Sequence, residues 1–320
     1  MDVLNPGGTT PLPRYGGSPP NPAPAAGPRR RVLLVSRDEE LDSVLACRRV
    51  AAHLGGVATT TDAGGAPPDA ALVCDDEAAA RRLLERGVPV VHLRSGHRGT
   101  TVACSLDGAM ERLHRPGWLP GPWPPGGGAR PAGSLAPART ARDRVRAGAL
   151  LLLSLWDVPD AEAEAFATGP LRALVRAATD AGGRCEVVCD TRLGLLRPVL
   201  GAAGGSGRVR LSRAADVDVD ALHAAAGAFV ASPTLGALVL AHARRAPLTL
   251  LPPLGPAQRD LAGRVARALP VPVAGDPGDP SPWTPSGDAA AWSALDPAQD
   301  DLRGAQRVAR GLRQLTFAPP

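Results

Sequence analysis

The chain has 320 residues, 44% of them hydrophobic but only 3% aromatic, and a formal charge of +5. That length predicts two domains, with cores of Leu, Val and Ala, because the sequence contains no Ile and few aromatic rings. The 36 basic residues are scattered among 31 acidic ones, which is not the clustered basic footprint of a nucleic-acid binder, so no such partner is expected.

Residues 1–29 are rich in Pro and Gly and hold no apolar run. They predict a disordered tail, neither a signal peptide nor a membrane span. The segment VLLVS after Arg31 then reads as a buried strand. The loop RDEELDS and the helix VLACRRVAAHL follow it, with Asp42 or Ser43 as the helix cap. Residues 57–61, AALVC (70–74), VPVVHL (88–93) and TTVACSL (100–106) supply four more strands. Between them DDEAAARRLLERG is a helix capped by Asp75 or Asp76 and stopped by Gly87. Strands alternating with helices call for a parallel sheet covered on both faces. Residues 30–114 therefore predict a first Rossmann-like domain.

Residues 115–138 are dense in Pro and Gly and can be neither a helix nor a central strand. The whole of 115–146 is taken as a linker or long loop between domains. The second half, 147–275, repeats the alternation. Strands are predicted at 149–155, 184–189, 208–211, 228–231, 248–251 and 271–274. Helices are predicted at 160–181 (broken at Gly169-Pro170), 191–200, 219–226, 235–245 and 260–268. Residues 276–320 supply a loop and a final helix, whose Leu302, Val308, Leu312 and Leu315 share one face. That helix is expected to pack back on the first domain. The fold class is α/β, with two Rossmann-like parallel-sheet domains facing a cleft.

The five cysteines fall in predicted helix and strand interiors and read as small buried hydrophobes in a reducing cytoplasm. Cys185 and Cys189 share one strand face about 13 Å apart at ~3.3 Å per residue. That is too far for a disulfide or a shared zinc. His53, His114, His223 and His242 lack metal-ligand spacing. No GxGxxG follows a strand and there is no P-loop, so neither metal nor cofactor is expected. The apolar run at 149–156 is too short to cross a bilayer.

The stretch AAAGAFVASPTLGALVLAHARRAPLTLLPPLGPAQ, 224–258, carries a resemblance. With its flanks at 150–315 it resembles the C-terminal donor domain of GT-B glycosyltransferases. The lipid-II N-acetylglucosaminyltransferase and macrolide/UDP-glucuronosyl-type families are the nearest look. The chain also resembles the actinobacterial proteins called CGA synthase-related. The likeness implies a UDP- or TDP-sugar donor, in bacterial secondary or cell-envelope metabolism. A helix start at 232–235 would bind the diphosphate through free N–H groups. Ser232 and Thr234 would add hydroxyls and Arg213 charge, while Gln258 would grip the sugar. Ser154, at a strand end, is either a further contact or a buried cap. In the first half His97 sits after a strand on the expected cleft side, as a candidate base.

The sequence departs from that pattern where the chemistry lies. The ribose-binding Glu position falls on Leu240, and the Asp of an Asp-Gln pair falls on Ala257. Trp156 stands where phosphate needs close backbone access. Two readings follow: a divergent nucleotide-sugar glycosyltransferase, or a catalytically inactive helper that binds a partner transferase or a nucleotide. Both place the protein in the cytoplasm.

Overall fold

A computed structural model describes residues 30–62, 67–98, 105–123, 128–203, 207–284, 290–296 and 301–317. In the first half β1 (Arg31–Val35), β2 (Ala58–Thr60), β3 (Ala70–Cys74), β4 (Val90–Arg94), β5 (Met110–His114) and β6 (Arg130–Gly133) form one sheet. Its order is β2-β1-β3-β4-β5-β6, and every pairing is parallel. Helices α1 (Leu41–Ala51) and α2 (Glu77–Glu85) belong to this half.

The second sheet has the order β11-β10-β7-β8-β9 and is also wholly parallel. Its strands are β7 (Ala149–Leu153), β8 (Cys185–Cys189), β9 (Val209–Arg213), β10 (Ala228–Ala231) and β11 (Thr249–Leu250). Helices α3 (Asp160–Thr168), α4 (Pro170–Gly182), α5 (Leu193–Ala203), α6 (Val219–Ala225), α7 (Leu235–Ala243) and α8 (Gly255–Ala268) surround it. Two more helices, α9 (Ala290–Ser293) and α10 (Gly304–Phe317), end the chain. The predicted break at Gly169-Pro170 separates α3 from α4, since proline is at home only in the first turn of a new helix.

Strand alternation sends the core to both faces of each sheet. In the first half Val32, Leu72, Val91 and Leu93 meet α1 and α10 on one face. Leu33, Ala71, Val73 and Val90 meet α2 on the other. In β7 the run ALLLL is buried at every position. Leu150 and Leu152 pack toward α7 and α8, and Leu151 and Leu153 toward α3, α4 and α5. A doubly covered parallel strand demands this apolar run. In α10, Ala305, Val308, Ala309 and Leu312 join the core of the first sheet, with Leu315 partly buried beside them.

Two expectations are corrected, and a third, the strand foreseen at 100–106, lies mostly outside the described residues, as does Cys104. A strand that was not foreseen is MERLH, where Glu111 is buried because it accepts bonds from Arg94 Nη2 (2.9 Å) and Leu106 N–H (3.2 Å). The Pro/Gly segment is more than a linker: it adds β6 at the sheet edge, where Pro131 is tolerated. It also buries Trp118 and Leu119 against the second sheet's core. The strand expected at 271–274 is reduced to a single bridge from Val273 to Leu250.

Candidate functional site

The carboxyl ends of β1, β4, β7 and β10 open toward one cleft between the two sheets, the usual place for a ligand in such folds. Lining it are Glu40, Leu41 and Asp42 at the start of α1, and Gly96, His97 and Arg98 after β4. From the second half come Ser154, Trp156, Asp157, Pro233, Thr234, Ala257, Gln258 and Leu261. Four of the six predicted site residues, His97, Ser154, Thr234 and Gln258, therefore meet here. The cavity between them is about 60 Å³, space for a few waters.

Their polar groups are already engaged. Thr234 caps α7, its hydroxyl accepting from Ala237 N–H at 3.2 Å. Ser232 is buried just behind, and its Oγ accepts from Ser154 N–H at 3.0 Å. Ser154 Oγ donates to Asp190 at 2.6 Å, the buried capping role rather than a free hydroxyl. Gln258 donates to Ser154 O (2.8 Å) and accepts from Leu254 N–H (3.1 Å). Arg213 is not among the cleft-lining residues. It ends β9, the edge strand of the second sheet, instead of lying in a loop beside the helix start. Leu240 is fully buried in the apolar core, where no ribose can reach it.

His97 Nε2 lies 2.6 Å from Asp260 Oδ2 on α8, and Arg264 Nε donates to the same oxygen at 2.8 Å. Burial, opposed by Asp260, holds the imidazole below its ordinary pKa. Asp260, despite partial desolvation, is held below the usual carboxylate value by His97 and Arg264. The result is a neutral, carboxylate-oriented imidazole, with the Trp123 ring nearly perpendicular to it and the two ring centroids 6.0 Å apart.

Asp42 overturns its expected role. Neither it nor Ser43 caps α1: Ser43 Oγ donates to Cys74 O at 3.0 Å, and the N-cap position is Glu40. Helix α1 begins one residue before Asp42, so this carboxylate projects across the cleft to α7. There Asp42 accepts from Gly236 N–H (2.7 Å) and Leu235 N–H (3.2 Å). These are the donors that an anion at this helix start would need. Desolvation is the largest influence on Asp42 and pushes its pKa up to about 7, against the bonds from Gly236 and Leu235. Glu40, beside it, is pushed to about 9, first by burial and then by Asp75, although Arg98 Nη2 donates to it at 2.7 Å.

The sequence reading missed Asp42, Asp190 and Asp260 as cleft groups. Asp260 had a local signal, lying two residues after Gln258 and four before Arg264. Asp190 follows β8 directly, and strand ends face the cleft. Among the described residues no group of His, Cys, Asp or Glu is arranged to hold a metal. None of the helices there is long and apolar enough to cross a membrane.

Several solved structures are similar to this chain. Spinosyn rhamnosyltransferase SpnG, complexed with spinosyn aglycone, is 18% identical, with 91% of this chain and 97% of that one covered at a TM-score of 0.44. MurG of Acinetobacter baumannii is 10% identical, covering 90% and 100%, at 0.44. The glycosyltransferase SnogD from Streptomyces nogalater is 16% identical, covering 92% and 96%, at 0.41. No curated protein sequence matches. The family model described as CGA synthase-related protein matches residues 32–320, nearly the whole of both sheets and α10, and the chain therefore belongs to the CGA synthase-related family.

Proposed function

We propose that this protein is a glycosyltransferase-like helper that works by binding, with a cleft that does not turn over nucleotide sugars. One observation carries the reading: the start of α7 is filled by the protein's own Asp42, bonded to Leu235 and Gly236 N–H. A diphosphate would need those same donors. The size of the cleft agrees, at about 60 Å³ where small-molecule sites run from roughly 300 to 1,000 Å³. The hydroxyls and amide of Ser154, Thr234 and Gln258 hold the chain together. The partner that suits such a helper is a transferase in the same cytoplasm, to which it would lend a rigid surface. Calorimetry with UDP and TDP, and a nucleotide-release assay with UDP- and TDP-sugars, test the reading. No saturable heat at millimolar nucleotide and no release are expected. Turnover would sink it.

The His97–Asp260 pair favours a second reading, a divergent nucleotide-sugar glycosyltransferase. A neutral imidazole oriented by a carboxylate is suited to take a proton from an acceptor hydroxyl. Sugar transfer that falls at least ~100-fold in His97→Ala, within the usual general-base range, would replace the helper reading with this one.

A further inference from the structure

The two halves exchange carboxylates. Asp42, on α1 of the first half, sits on the start of α7 in the second. Asp190, after β8 of the second half, reaches the start of α1, where Leu41 N–H lies 3.4 Å from its Oδ2. Two turns along α1, Arg49 grips Asp220 of the second half with two bonds, at 2.7 and 3.1 Å. Its Nη1 also donates to Leu135 O at 3.0 Å.

The seat for Asp42 is shaped as well as charged. A Cβ on Gly236 would stand 2.7 Å from Asp42 Oδ1 and 2.6 Å from Leu45 Cδ1. Any larger residue at 236 would have to displace the ends of the Asp42 and Leu45 side chains. Helix-start N–H groups seek oxygen acceptors. The Asp42 carboxyl, tethered by the fold, presents its oxygens to them at high effective concentration, protonated or not, so a free anion competes poorly with it.

We propose that the Asp42 carboxyl group is a built-in latch: seated from the opposite half, it occupies the start of α7, excludes free anions from it and holds the cleft shut. This rests on the reading of the cleft as closed, but it concerns anion access and closure, not turnover. A nucleotide-release assay can therefore fail without touching it.

The surrounding charges give the latch a pH direction. They are Glu40 and Arg49 on its own helix and its N-cap, Asp75 after β3, His97 and Arg98 after β4, and Asp157 and Asp190 after β7 and β8. Burial raises the pKa of Asp42, Glu40 and Asp190 in the closed state. In an open, hydrated cleft they return toward ordinary carboxylate values. Closing therefore takes up protons, and alkaline pH favours opening.

The test uses inorganic pyrophosphate as the probe, measured by calorimetry at pH 6 on the full chain. Asp42→Ala should bind it at least tenfold more tightly than the wild type. Should that variant not fold, Asp42→Asn takes its place, since it keeps the volume but has only one acceptor oxygen for two N–H donors. Independently, small-angle scattering on the wild type should show a larger radius of gyration at pH 9 than at pH 6. Equal pyrophosphate affinity in wild type and variant, or a radius of gyration that does not change with pH, overturns the latch.

Discussion

Arg49 and Asp42 show how single side chains hold this molecule together. The Arg49 side chain is only 2% exposed, and its guanidinium makes a two-pronged bridge to Asp220 as well as a bond to a carbonyl. Removing it takes the two-pronged donor from Asp220 and the bond from the Leu135 carbonyl. Because Asp220 keeps 22% exposure, Arg49→Ala should cost about 3 kcal/mol, at the low end for a broken buried pair. Arg49→Lys should recover less than half of that, since an ammonium lacks the planar fork. Urea titration of both variants measures this. Asp42 predicts a pH effect of definite sign. Its pKa is raised from 3.8 to about 7 by burial, so its contribution to stability is full below pH 3.8 and is lost as pH rises through 7. Glu40, raised from 4.5 to about 9, extends the loss toward pH 9. The melting temperature should fall between pH 6 and pH 9, and Asp42→Asn should flatten the part of that fall below pH 8. A wild-type melting temperature that rises over that range would contradict the assignment.

At the scale of elements, α10 is the clearest case. Val308 and Leu312 are fully buried against the first sheet, and each buried side chain of this kind contributes about 1.5–3 kcal/mol. Removing residues 304–320 should therefore lower stability by at least ~3 kcal/mol, read as a shifted denaturant midpoint. A midpoint that stays put would show that this face does not need the helix. The same scale shows what the sequence could and could not reveal. The apolar run of β7 and the Gly169-Pro170 break are local patterns, and both were legible. The strand β5 was not, because MERLH alternates with charge, and Glu111 is buried with the help of Arg94 on the neighbouring strand, 17 residues away, and of Ser105 and Leu106 in the preceding loop. The two-residue β11 and the edge strand β6 are too short, or too rich in Pro and Gly, to show a period. In the cleft, His97, Ser154, Thr234 and Gln258 could be placed because each follows a strand or starts a helix. The role of Asp42 could not: an aspartate near a helix start reads as that helix's own cap, and its partners lie more than 190 residues away.

For the whole molecule, the chain order of α10 bears on synthesis. The first sheet ends with β6 at Gly133, yet one of the helices covering its inner face begins at Gly304. About 170 residues separate them, and at ~5–20 residues per second a ribosome needs roughly 10–35 s to make that stretch. Throughout that interval the face carrying Leu72, Val91 and Leu93 is covered by α1 but not by α10. Domains usually complete themselves in the order in which they emerge; here the second sheet has all its strands and its helices α3 to α8 before the first can close. Nascent chains stalled at residue 275 should remain open to protease within residues 31–133, while those extended past residue 317 and clear of the exit tunnel should resist. Until α10 emerges, the first half leaves this apolar face only partly covered.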